Sequence, residues 1–149
     1  MQYLIDSGVW LRLFDRSDPE HPAIVEAMQL LESRGDQLLT CQQNIAEFWN
    51  VSTRPSTSRG GYGQSVSTTN KRVDWIEGRS LILPESSEAY REWRKILITY
   101  NIIGVSVHDA RLVAMMKVAG IDRIVTLNVR DFARYPFLTA ITPSDLIAE

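Results

Sequence analysis

Residues 2–14 read QYLIDSGVWLRLF, and the fold turns on how this stretch is read. Gln2–Ile5 is short and apolar, and Asp6-Ser7-Gly8 follows at once, the mark of a buried strand running into a turn. Val9–Phe14 adds one or two helical turns behind it. The same alternation continues downstream. Asp18-Pro19 marks a helix start, a capping carboxylate followed by proline at the first helical position. Ile24, Ala27, Met28, Leu30 and Leu31 then recur at helical spacing until Arg34-Gly35 stops them. Asp36–Thr40 reads as a second strand and Asn44–Thr53 as a helix that Pro55 ends. Ser80–Leu83, Arg123–Thr126 and Phe137–Ile141 read as further strands. Helices are expected over Asn70–Glu77, Glu85–Tyr100, Ser106–Ala119 and Pro143–Ala148. The prediction is an α/β fold: a central, mostly parallel sheet of about five strands with helices on both faces. Ligands in such sheets sit beyond the carboxyl ends of the strands.

The 149 residues suit a single domain, 1–149, and a chain of this size buries roughly 68–70% of its unfolded surface without staples. Cys41 stands alone, so no intramolecular disulfide forms. The start MQYLIDSGVW lacks a basic leader, and the apolar-rich stretch Ile96–Val107 is broken by Thr99, Tyr100, Asn101 and Ser106. A membrane span needs ~18 apolar residues, so a cytoplasmic chain with no membrane association is expected. With 16 basic against 18 acidic residues the formal charge is -2. That weighs against coating nucleic acid by bulk charge, but leaves open an enzyme whose metal ions carry the positive charge. Ser56–Thr69 is rich in Ser, Thr, Gly, Gln and Arg and has no hydrophobic period, so a flexible loop is expected at about 55–69. Arg54, Arg59, Lys71 and Arg72 bracket it around Tyr62, while Arg12, Arg111 and Arg130 are expected near the strand ends. These cations can grip phosphates or simply face solvent.

Acidic or amide groups recur where strands end or helices begin: Asp6, Glu47, Asp109, and the pair Asn128 and Asp131. Each has a structural explanation. Asn44-x-x-Glu47 and Ser106-x-x-Asp109 have the capping-box form, and Asn128-x-x-Asp131 can cap a short turn. Asp6 fits that explanation least, because a carboxylate ending a buried strand needs partners or a metal. Gathered together, three or four carboxylates resist full ionisation, and oxygen-rich clusters of this kind suit Mg²⁺ or Mn²⁺. Phosphodiester hydrolysis uses such sites. His108 reads mainly as a helix-start residue and His21 as solvated; Trp49, Trp93, Met115 and Met116 read as core.

In order and spacing, YLIDSGVWL, NIAEFWNV, VSVHDARLVAMM and IVTLNVRDF resemble the motifs of PIN-domain ribonucleases, in particular the VapC-type toxins of bacterial toxin–antitoxin pairs. The similarity runs from Tyr3 to Phe132. It implies a PIN-like fold and hydrolysis of RNA in which Asp6, Glu47 and Asp109 bind Mg²⁺ or Mn²⁺. Ser7 would orient Asp6 or a water, and Thr126 would be the motif's hydroxyl residue. Asn128 stands where the family often has Asp, so either Asn128 or Asp131 would complete the catalytic set. The resemblance further implies a protein antitoxin and a homodimer. Two other readings remain: a catalytically weak binding module whose acids are caps, and an aspartyl-phosphate phosphatase, which usually carries an Asp where this chain has Gly8.

Overall fold

The computed structural model describes residues 1–149. Five strands form the sheet: β1 (Gln2–Ile5), β2 (Gln37–Cys41), β3 (Leu81–Leu83), β4 (Arg123–Val125) and β5 (Thr139–Ile141). Their order is β3-β2-β1-β4-β5, and every neighbouring pair is parallel. The expectation of a mostly parallel sheet is thus met by one that is parallel throughout. Eight helices connect the strands: α1 (Ser7–Leu13), α2 (His21–Ser33), α3 (Gln42–Thr53), α4 (Val66–Glu77), α5 (Ser87–Thr99), α6 (Ser106–Ala119), α7 (Val129–Phe132) and α8 (Pro143–Ala148). No helix is long and apolar enough to cross a membrane.

Alternate residues of a strand face opposite sides, and the core divides accordingly. Tyr3, Ile5, Leu38 and Val125 pack with Val9, Trp10, Leu31, Phe48 and Leu146 on one side. Leu4, Leu39, Cys41 and Ile124 pack with Ile96, Met115, Phe132 and Tyr135 on the other. Helix α6 is buried almost all round, with Leu112 to Met116 all inaccessible, so both Met115 and Met116 are core residues. Gly120 closes α6 in the left-handed conformation at φ 72°, which a Cβ would strain.

The boundaries depart from expectation in places with identifiable causes. Helix α2 starts at His21 with Pro22 inside its first turn, not at Asp18-Pro19. The Asp18 carboxylate instead accepts the Glu20 N–H at 2.9 Å and pairs with Arg12, building a tight turn ahead of the helix. Helix α4 begins at Val66, inside the segment read as loop, because the Ser65 hydroxyl accepts the Thr68 N–H at 3.0 Å. The preceding residues lie back along the end of α3, where Tyr62, Gly63 and Gln64 donate backbone bonds to Val51, Arg54 and Ser52. Gly61 makes this return possible. A Cβ there would sit 2.5 Å from both the Arg54 and Pro55 carbonyl oxygens. Gly61→Ala is therefore expected to cost about 1–3 kcal/mol in urea unfolding, the range for forced overpacking; an unchanged midpoint would contradict this close approach.

Candidate active site

The strand order reverses at β1. From there the chain moves outward through β2 to β3 on one side, while β4 and β5 lie on the other. A crevice beyond the carboxyl ends of β1 and β4 follows from that topology. Asp6 stands at its centre. Its N–H donates to the Val125 carbonyl at 3.0 Å, which extends the β1–β4 ladder by one bond and fixes where β1 stops.

A continuous chain of hydrogen bonds runs outward from Asp6. One carboxylate oxygen accepts the Ser7 N–H at 2.8 Å, and the other accepts the Thr126 hydroxyl at 2.7 Å. The Asn128 N–H in turn donates to Thr126 Oγ1 at 3.1 Å. On the other side, the Ser7 hydroxyl donates to Glu47 Oε2 at 2.7 Å. Gln43 Nε2 donates to Glu47 Oε1 at 3.3 Å and to the His108 carbonyl at 2.8 Å. The chain thereby spans β1, α1, α3, the start of α6 and the turn after β4.

Asp109 follows His108, and its pKa is pushed up to about 6. Burial is the main cause; the charges of Asp131, Asp6 and Glu47 add to it, and His108 opposes them. Asp6 is also raised, chiefly by burial, against the lowering effect of the Thr126 hydroxyl, with Glu47 and Asp131 adding repulsion. Asp109 thus lies within electrostatic reach of Asp6, Glu47 and Asp131, and Asp6 within reach of Glu47 and Asp131. The four do not close around a point: no group of three His, Cys, Asp or Glu side chains is close enough to hold a metal ion.

The capping explanations fall out differently from expectation: Asp6, which fitted capping least, is the N-cap of α1 through the bond its carboxylate accepts from the Ser7 N–H, while the expected Asn44 and Ser106 caps are not found. The N-cap of α3 is Cys41, and Asn44 is buried inside the helix, its Oδ1 accepting from Cys41 Sγ at 3.1 Å. Val105, not Ser106, caps α6, and no side chain bonds there. Asn128 caps α7 without a side-chain bond, and both Asn128 and Asp131 are exposed. Of the expected cations, Arg12 is turned to the Gly8 carbonyl and Asp18, and Arg111 pairs with Glu85. Arg130 is exposed beside Asp131 on α7. His21 is tied to the Arg12 carbonyl at 2.8 Å through Nδ1 rather than solvated.

Gln43 escaped the sequence reading. The available signal was its place one helical turn before Glu47, which puts both on one face of α3. Its Oε1 is buried and has no partner. The family model for the PIN domain matches residues 3–138. The chain belongs to the PIN domain family. Solved structures of similar fold include VapBC2 from Rickettsia felis bound to a promoter DNA fragment, at 15% identity and TM-score 0.70, covering 95% of this chain and 98% of that one. VapC20 from Mycobacterium tuberculosis, described as a sarcin–ricin loop cleaving toxin, matches at 15% identity and TM-score 0.65 over 89% and 95%. FitAcB from Neisseria gonorrhoeae matches at 17% identity and TM-score 0.58 over 96% and 98%. Curated proteins yield no match. In this PIN domain, four acids from separate parts of the chain, Asp6 after β1, Glu47 on α3, Asp109 on α6 and Asp131 on α7, come within electrostatic range of one site without closing around a point.

Proposed function

We propose that this PIN domain is a metal-dependent endoribonuclease that hydrolyses RNA phosphodiester bonds as the toxin of a toxin–antitoxin pair. The observation that carries this reading is the gathering of Asp6, Glu47, Asp109 and Asp131 at one crevice, where burial and mutual repulsion raise Asp6 and Asp109. Hard divalent cations relieve that repulsion, and a set of carboxylates with no soft ligand suits Mg²⁺ or Mn²⁺. Cys41 does not join the set: its thiol is buried, pushed up to about 11, and turned to Asn44. Asp6, Glu47 and Asp109 would hold the ion only once their side chains turn inward from the separation they have without it, with Asn128 or Asp131 positioning a second ion or a water. When bound, the metal supplies an activated water and offsets charge on the phosphate.

The chain's own residues supply the orientation. Ser7 and Thr126 fix the Asp6 carboxylate, while Ser7 and Gln43 fix that of Glu47. Outer partners of this kind typically cost 10–100-fold in metal affinity when removed. Gln43→Ala is accordingly expected to weaken Mn²⁺ binding by about 10-fold or more in calorimetry. Unchanged affinity would reduce Gln43 to a packing residue. Acidification should act through Asp109. Below pH about 6 it takes up a proton that the metal must displace, so affinity falls by up to about tenfold per pH unit. Because the folded-state value lies above the ordinary one, the metal-free fold loses this group's contribution as pH rises from about 4 towards 6.

The VapBC complexes among the similar folds support a protein antitoxin as partner, and exposed Ile103 and Val105 between α5 and α6 suit a homodimer contact. A cytoplasmic setting, where RNA is available, fits this role. The test is incubation of the purified chain with single-stranded RNA in Mg²⁺ or Mn²⁺, with and without EDTA. Cleavage that EDTA stops and added metal restores is expected; cleavage indifferent to EDTA would sink the reading. A binding module with little catalytic power is the second reading, favoured by the carboxylates standing apart. Absence of both Mn²⁺ binding and cleavage would select it. The aspartyl-phosphate alternative fares worse, since both Asp6 oxygens already accept hydrogen bonds and position 8 is Gly.

A further inference from the structure

Helices α5 and α6 leave a groove of about 410 Å³ between them, which shares His108 with the hydrogen-bonded chain. We propose that this groove is a subsite for one unpaired purine of the RNA strand, a proposal that rests on the nuclease reading above. Tyr90 and Trp93 line it from α5, Val107 and Met115 from α6, and the Glu85–Arg111 ion pair sits among the lining residues.

The two aromatic rings are held in place before any ligand arrives. Trp93 Nε1 donates to the Val107 carbonyl at 3.0 Å, and the Tyr90 hydroxyl accepts from Arg94 at 3.2 Å. Their centroids are 6.0 Å apart and tilted by 54°, and Tyr90 remains 54% exposed. Trp93 packs against the core beside the groove, while Tyr90, anchored at its polar tip and exposed, is suited to stacking on a flat ligand. Sequence-selective RNA recognition targets unpaired bases in this way. The polar pair offers both halves of a purine edge: Arg111 can donate to N7, and Glu85 can accept from an exocyclic amine or ring N–H.

Continuity with the acids favours an RNA strand over a free base. His108 lines the groove, its carbonyl takes the Gln43 amide that also reaches Glu47, and Asp109 is the next residue. A strand with its phosphate at the carboxylates therefore passes the mouth of the groove with a neighbouring nucleotide.

The test uses the full chain in Mn²⁺, which offsets the charge of the carboxylates, and a short single-stranded RNA carrying one 2-aminopurine on phosphorothioate linkages that resist cleavage, so that binding is read without cleavage. Quenching of the probe on binding is expected, with competition by purine-containing but not all-pyrimidine RNA. Tyr90→Ala should weaken binding about 10-fold, the order of one lost base–aromatic stack. Tyr90→Phe should retain it, and Tyr90→Leu should behave like Ala. Absence of quenching, full binding by Tyr90→Ala, or rescue by Leu as well as Phe would overturn the subsite. A change in the sedimentation of Tyr90→Ala would overturn it too, by assigning the groove to a second copy of the chain. Cleavage of RNA in Mg²⁺ is scored separately, so the nuclease reading and the subsite fail by different observations.

Discussion

Asp109→Asn should lower RNA cleavage by more than about 100-fold and, in the same protein, raise the thermal midpoint of the metal-free form. The lower bound on the first effect comes from outer partners of metal ligands, whose loss alone costs about 10–100-fold. A residue proposed to touch the ion must exceed it. The second effect follows from electrostatics. Burial and the charges of Asp131, Asp6 and Glu47 all disfavour an ionised Asp109, so a neutral amide of the same shape relieves the metal-free fold. Above pH about 6, where Asp109 is ionised in the fold, the gain is greatest; it shrinks as pH falls from about 6 towards 4 and is gone below the ordinary carboxyl value. Adding Asp6→Asn should remove Mn²⁺ binding altogether. Cleavage and metal binding that survive the double substitution would refute the proposed chemistry. A midpoint that falls in Asp109→Asn at neutral pH would mean that Asp109 has a structural partner not seen among its contacts.

Phe48→Ala is expected to have the largest effect on stability, about 3–5 kcal/mol, the usual cost of emptying a buried aromatic site. Phe48 is inaccessible, meets Phe14 edge to face at 5.9 Å between centroids, and follows Glu47 directly on α3. Its loss therefore also frees the helix that places Glu47 and Gln43. Urea unfolding should show a lower midpoint with an unchanged slope, and Mn²⁺ affinity should fall even where the variant remains folded. A loss below about 1 kcal/mol would show that neighbouring side chains close the cavity.

The layout of the sheet was readable because each strand is a short apolar run followed by a polar break. Arg123, Ile124 and Val125 lie in β4 as expected, and α6 runs from Ser106 to Ala119 as its apolar content and Gly120 imply. What could not be read is contact at long range. Asn44 has the form of a cap, yet it serves Cys41 inside α3, because β2 runs one residue further and α3 starts two residues earlier than the local pattern suggests. The start of α4 was missed because Val66–Thr69 is polar and lacks a helical stripe; a single serine cap supplies the signal. Asp6, Asp109 and Asp131 were identifiable as candidates from their positions after a strand or in first helical turns; Glu47 lies in the second turn of α3, because that helix begins at Gln42. Which of them approach one another depended on strand order, and Gln43 depended on a partner 65 residues away.

The same hydrogen-bonded chain has a consequence for the time at which the crevice comes into being. The Asp6–Thr126 bond joins residues 120 positions apart, and the Gln43–His108 bond joins residues 65 apart. A growing polypeptide that has not yet supplied residues 126–131 can present no more than three of the four carboxylates and has no hydroxyl for Asp6. β1, which carries Asp6, would also lack β4, its neighbour on that side of the sheet. The first residue of the site to be synthesised is thus completed by the last segment of the site, and a ribosome-bound fragment is held short of a finished crevice until residues 126–131 have emerged.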